Sequence, residues 1–430
     1  MKVRRRVGLV AAGAAVACLV VGVASATPGD LDTTFGTGGK VLTDFGSSSN
    51  DIAQAVAVQE DGKIVVAGYS DANGGYEFAV SRYTRTGAPD MSFGSGGKVL
   101  TDVGGGGNDN ATAIAVQKDG KIVVAGFSAV SGGYDFALVR YTKTGALDKS
   151  FGSNGKVLTD LGSTGDFAYA VAIQKDGKIV VAGKSFASGS GDFAVVRYTK
   201  RGAVDTRFGS SGVVLTDIGS ASNDGARALA LQKDGKIVAA GSTNASGGYD
   251  FALVRYTKTG ALDTGFGPGG KVVTDLGGSN DGAYAVALQK DGEIVAGGDS
   301  NVNGSNDFAL VRYTTAGAVD TGFGTGGQVV TDLGSSSSDC LSGIALQKDE
   351  KILAGGNNAC NDKDFALARY TTTGALDTSF GSGGIALTDI GSSSSDYLYA
   401  LALQQDGKAV AVGYSDASGG GDFAVVRYLG

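Results

Sequence analysis

The chain has 430 residues, 43 Asp+Glu against 36 Lys+Arg, and neither histidine nor tryptophan. Its formal charge of −7 disfavours nucleic acid and anionic lipid surfaces as partners. The lack of histidine excludes imidazole metal ligands, His-based acid–base catalysis and Ser-His-Asp triads.

Residues 1–26 read as a secretory signal peptide. Lys2, Arg4, Arg5 and Arg6 precede an apolar stretch from Val7 to Val23, and Ala24-Ser25-Ala26 offers a small-x-small cleavage site. Removing this segment takes away four positive charges and moves the formal charge to −11. No second apolar span follows. The mature chain, residues 27–430, is therefore expected to be secreted or held in the cell envelope, soluble, monomeric and without a membrane span.

Variants of the phrase Asp-Gly-Lys-Ile-Val-Val-Ala-Gly then recur seven times, with Asp61, Asp119, Asp176, Asp234, Asp291, Asp349 and Asp406 as their first residue. The gaps alternate between 58 and 57 residues. Such regularity marks one supersecondary unit copied along the chain, with repeats starting near residues 51, 109, 166, 224, 281, 339 and 396. Glycine is abundant (74) and proline scarce (3). The glycines sit at fixed places between apolar runs, as turn residues between strands do.

The third copy shows the pattern. Residues 167–174 (FAYAVAIQ) alternate Ala with larger residues at period two, so they predict a strand. Lys175-Asp176-Gly177-Lys178 predicts a hairpin turn. Residues 179–185, 192–199 and 213–217 predict three further strands, the last reached through the long link KRGAVDTRFGSSG. Four antiparallel strands per copy, repeated radially, predict an all-β fold, a seven-bladed β-propeller. The chain begins with the last quarter of a copy (strand expected near 39–45) and ends with the first three quarters. The N-terminal strand should therefore complete the last blade and close the ring.

Three phrases carry a family resemblance. Asp148, Phe151, Gly152, Gly155, Thr159 and Asp160 carry LDxxFGxxGxVxTD; Gln174, Asp176, Gly177, Lys178, Ile179 and Gly183 carry QxDGKIVVAG; Phe193, Arg197 and Tyr198 carry DFAxxRY. Over nearly all of residues 31–430 the chain resembles the delta-60 repeat family of secreted, mainly bacterial proteins. The resemblance implies a β-propeller-like array, with no defined activity and no catalytic residues. The sixth copy departs from it, with Glu350 in place of the turn glycine.

Candidate functional residues follow from loop polarity. The loop before the first strand and the loop between the second and third lie on one face of a meander, and these loops vary between copies. Scaffold links repeat whereas recognition loops diverge, so this face is the expected binding face. Tyr76, Tyr134 and Tyr249, with Asp71, Asn301 and Asn306, are its candidate contacts. Cys340 and Cys360, both in the sixth copy on that face, are expected to form a disulfide in an oxidising compartment. The arginine before each RY tyrosine is expected to pair with an LD or TD carboxylate.

No cofactor or metal is expected. The expected function is that of a non-catalytic binding or scaffold module, not an enzyme, whose partner is a protein or a glycan. The alternative is a Ca²⁺-dependent hydrolase using channel-mouth carboxylates, for which Asp51, Asp109, Asp166, Asp224, Asp281, Asp339 and Asp396 are the candidates.

Overall fold

The third copy folds as an antiparallel meander of β10 (Asp166–Ile173), β11 (Ile179–Ser185), β12 (Asp192–Tyr198) and β13 (Val213–Thr216). These limits lie within a residue of those expected. The Asp-Gly turn forms because Gly177 takes φ 82° and Asp176 Oδ1 accepts the Lys178 N–H at 3.1 Å. The computed structural model describes residues 26–47, 49–105, 107–130, 132–334, 338–359, 364–391 and 394–430. The expected signal peptide, apart from Ala26, and Cys360 lie outside the described residues. No helix among them is long and apolar enough to cross a membrane.

Seven such four-stranded sheets form a β-propeller. We number the blades 1 to 7 from the repeat beginning at Asp51. The last sheet has the order β1-β28-β27-β26, with β1 spanning Lys40–Thr43, β26 Asp396–Leu403, β27 Ala409–Ser415 and β28 Asp422–Tyr428. Lys40 faces Val426 and Thr43 faces Phe423, so the first strand of the chain closes the ring on the last.

A blade cannot bury both faces of its second strand alone. Ile179, Val180, Val181 and Ala182 are all fully buried. Val180, Ala182, Phe193 and Val195 of blade 3 pack with Ile237, Ala239, Val254 and Tyr256 of blade 4. The same interlock joins Val410, Val412 and Val425 of blade 7 to Ile64, Val66 and Tyr83 of blade 1. Each fully buried Val or Ile contributes about 1.5–3 kcal/mol, so contact between blades is what stabilises each meander.

Two side-chain devices repeat with the sequence. The RY tyrosine is buried and bonds the TD threonine of the preceding blade: Tyr198 Oη donates to Thr159 Oγ1 at 2.9 Å, and Tyr428 Oη to Thr388 Oγ1 at 2.9 Å. The arginine beside it holds down the long link. Arg197 Nε lies 2.9 Å from Asp205 Oδ2, which also meets Lys178 Nζ at 3.0 Å, and the guanidinium sits over the Phe208 ring at 4.6 Å. Arg197 Nη1 then donates to the Lys258 carbonyl of the next blade at 2.5 Å. One clasp thus accounts for the LD, FG, DGK and RY phrases together.

Candidate functional site: the channel mouth

The first strand of each blade faces the central channel, and it is not the uninterrupted alternation that the sequence suggests. In β10, Ala168 pairs with Gly183 and Ala170 with Ala182, which leaves Tyr169 as an extra residue. This is a β-bulge, a device that re-aims a side chain. It recurs in every blade, at Gln54, Thr112, Tyr169, Arg227, Tyr284, Ser342 and Tyr399. The glycine of the IVVAG phrase makes room for it. A Cβ on Gly183 would lie 2.0 Å from the Phe167 carbonyl oxygen, and one on Gly68 would lie 1.9 Å from that of Ile52.

All seven bulge residues line one cavity of about 690 Å³. That volume lies in the range of small-ligand sites. The second strands add Tyr69, Phe127 and Asp299 to its wall. Aromatic rings cluster along it. Phe127 meets Phe167 edge-on at 5.0 Å, and Tyr397, Tyr399 and Tyr414 stack, with Tyr397 and Tyr414 4.8 Å apart. Arg227 is exposed and lies over the Tyr169 ring at 4.1 Å. Burial, with Tyr69 and Tyr397 alongside, pushes the Tyr399 hydroxyl up to about 12. The mouth therefore offers neutral phenols, an exposed guanidinium and π faces, a set suited to stacking and to contact with an anion.

Asp299 is the one carboxylate among the described lining residues. Burial pushes its carboxyl well above the usual range, although the Leu341 N–H donates to its Oδ1 at 2.6 Å. Asn357 occupies the equivalent place in blade 6, where its Oδ1 accepts the Leu398 N–H at 2.7 Å. The two side chains do the same bracing work between neighbouring blades.

The residues singled out from sequence divide into two groups. Tyr76 packs on the lining Tyr69 at 5.1 Å, and Tyr134 on Phe127 at 5.4 Å, so both border the cavity. Tyr249, Asp71, Asn301 and Asn306 brace loops instead. Tyr249 Oη accepts Asn223 Nδ2 at 2.7 Å; Asp71 Oδ1 accepts the Asn50 N–H at 2.7 Å; Asn301 Oδ1 accepts the Ser279 N–H at 2.8 Å; and the Asn306 carbonyl accepts the Asp339 N–H at 2.6 Å. Cys340 opens the first strand of blade 6 opposite Asn357. Sequence reasoning missed the bulge residues. Their signal is a variable position held between two small apolar positions that repeat, Ala168 and Ala170 in the third copy.

The seven aspartates that start the first strands do not converge on the channel. Each is fully buried, and each caps the preceding loop: the Phe45 N–H donates to Asp51 at 2.7 Å, that of Ile218 to Asp224 at 2.6 Å, and that of Leu333 to Asp339 at 2.8 Å. None of them lines the cavity.

The family described as "Domain of unknown function (DUF5122) beta-propeller" matches residues 59–93, 117–151, 174–208, 232–266, 289–323, 347–380 and 404–429. The chain belongs to this family. The matched segments cover more than half of the chain, and every bulge residue lies outside them. Family membership therefore covers the scaffold and part of the channel wall, Tyr69, Phe127 and Asp299, but none of the bulge residues. None of the curated proteins matches this sequence.

Solved structures share the fold at low identity. The chain is 10% identical to YCF48 bound to the D1 peptide, with a TM-score of 0.50 over 94% of this chain and 98% of that one. It is 13% identical to a polysaccharide lyase, an ulvanlyase, bound to a sugar, with a TM-score of 0.50 over 90% and 96%. It is 12% identical to Sqt1 of Chaetomium thermophilum bound to the N-terminus of the ribosomal protein L10, with a TM-score of 0.48 over 90% and 98%.

Proposed function

We propose that this DUF5122 propeller is an exported, non-catalytic binding module that takes its partner, a protein segment or a glycan, at the channel mouth. The observation that carries this reading is the set of seven equivalent bulge positions occupied by Gln, Thr, Tyr, Arg, Tyr, Ser and Tyr. Packing between blades repeats the mostly small apolar residues on either side of each bulge, because each blade must fit its neighbours. At the bulge the side chain meets the cavity, so its identity is free to serve a ligand.

A ligand with apolar or sugar faces would stack on Tyr169, Tyr399 and Phe127, and an anionic group would meet Arg227. Catalysis by carboxylates at the mouth is less well supported, since the first-strand aspartates are tied back into loops and the lining Asp299 braces the next blade.

The test is to probe the mature protein against peptide and glycan arrays beside Tyr169→Ala and Arg227→Ala. Capture of one class by the wild type, weakened at least about tenfold in either variant, supports the reading. Equal capture by all three proteins refutes the site. Turnover of a captured glycan refutes the non-catalytic assignment.

A further inference from the structure

Carboxylates at several blade junctions, those of blades 3–4, 4–5 and 7–1 among them, lack the ion-pair partners that others in the fold possess; the first two are taken here. In each clasp the LD carboxylate meets an arginine and usually a lysine, as Asp205 meets Arg197 and Lys178. At the junction of blades 3 and 4, Asp192, Asp217 and Asp224 bring one carboxylate oxygen each within 4.8 Å of the others. At the junction of blades 4 and 5, Asp250, Asp275 and Asp281 do the same. Among the described residues no lysine or arginine forms an ion pair with any of these six. Lys271 reaches only the backbone carbonyl of Asp217, at 2.5 Å; Lys184 acts on Asp224 through space but donates to Asn223 Oδ1, at 2.5 Å.

The second observation concerns individual oxygens. Asp224 and Asp281 are fully buried, and Asp192 is 3% exposed. The Oδ2 atoms are engaged: Asp224 by the Ile218 N–H at 2.6 Å, Asp281 by the Leu276 N–H at 2.9 Å, and Asp192 by the Ser188 hydroxyl. The Oδ1 atom of each has no hydrogen-bond partner among the described protein groups. A buried carboxylate oxygen without a donor is strongly disfavoured, and the neighbouring carboxylates make it worse. Burial, with the other carboxylates of its trio, raises both Asp192 and Asp250 above the usual range. With no such donor among the described groups and like charges beside it, a cation would satisfy such an oxygen.

We propose that these two junctions are calcium sites that tie adjacent blades together. The available ligands are all hard carboxylate oxygens, which suit Ca²⁺ and disfavour softer transition metals. Asp192 and Asp217 belong to blade 3 and Asp224 opens blade 4, so one ion would link both. Asp217 and Asp275 are exposed, which gives the ion a path from solvent and room for water ligands. The trio Asp135, Asp160 and Asp166 shows the contrast. There Asp166 Oδ1 accepts the Ser163 and Ser185 hydroxyls at 2.6 and 2.5 Å, and the need for an ion is met by hydrogen bonds. This inference revises the expectation of a metal-free protein. It stands independently of what the channel binds.

The experiment uses the mature protein stripped with chelator and titrated with CaCl₂ to about 5 mM, the range of extracellular calcium modules, with MgCl₂ as control. Calcium should raise the melting temperature and magnesium should raise it less. Asp217→Asn combined with Asp275→Asn changes only exposed members, so the fold persists. Calorimetry should count two fewer bound ions in that variant. Identical melting with calcium and with chelator overturns the proposal, and so does a double variant that binds as many ions as the wild type.

Discussion

Arg427 and Asp32 form a closed ion pair across 395 positions of sequence, with Nε 2.8 Å and Nη2 2.7 Å from Asp32 Oδ2. Lys408 joins the same oxygen at 2.8 Å. In six blades the corresponding clasp is made within one stretch of chain; here it fastens the two ends. Breaking a buried pair by removing one partner costs about 3–5 kcal/mol. Asp32→Ala should therefore lower the melting temperature, and hydrogen exchange should show residues 40–43 losing protection first. Asp205→Ala should weaken its own link and leave that strand protected.

Stability should depend on pH in two opposed ways. Burial alone would raise Asp32, Asp90, Asp148 and Asp377, but lysine and Ser or Thr hydrogen bonds with the adjacent guanidinium more than offset it and hold them well below the usual range. Their contribution is present above the unfolded value of about 3.9 and is lost as pH falls below it. Asp299 has the opposite sign: its folded value is raised, so its cost appears as pH rises. Melting curves should peak in mildly acidic buffer and collapse below about pH 4.

Asp299→Asn should stabilise the protein at neutral pH by about 1–3 kcal/mol. Asn357 already shows that an amide oxygen can accept the equivalent N–H. The gain should vanish in acid, where the wild-type carboxyl is itself neutral. Denaturant unfolding at two pH values would check both halves.

Gly183→Ala should cost about 1–3 kcal/mol in urea unfolding, because the new methyl would meet the Phe167 carbonyl oxygen behind the bulge. An unchanged midpoint would mean that the bulge tolerates a Cβ.

Cys340 and Cys360 are proposed to pair. Cys340 faces Asn357, three positions before Cys360, in the register of blade 6. Thiol titration of the exported, denatured protein should find neither cysteine free. Reduction should cost on the order of 3 kcal/mol for a loop of this length.

The blade count, the four strands and the ring closure were legible because they rest on local signals: period, turn chemistry and alternation. The bulge was not read, although its trace was present. Gly183 follows the β-branched and alanine run Ile179–Ala182 inside a strand, where an isolated glycine marks a bulge or a close backbone approach. Strict alternation in β10 concealed it, because Ala168 and Ala170 look alike on either side of Tyr169. Among the loop candidates, Tyr76 and Tyr134 reach the cavity, whereas Asp71 and Asn301 are held by backbone N–H groups of the adjoining loop. Residue type alone does not separate these outcomes. The aspartate trios were equally hidden, since each draws on two blades and forms no contiguous motif.

The bulge also bears on how such a chain can change. Seven inward positions differ from copy to copy while the strands behind them interlock alike, although Thr112 also bonds the Ala168 carbonyl of the next blade at 2.7 Å. Duplication of a cassette then supplies a fresh letter rather than a redundant copy, and a single barrel of blades can be respelled for a new guest while its architecture stays silent.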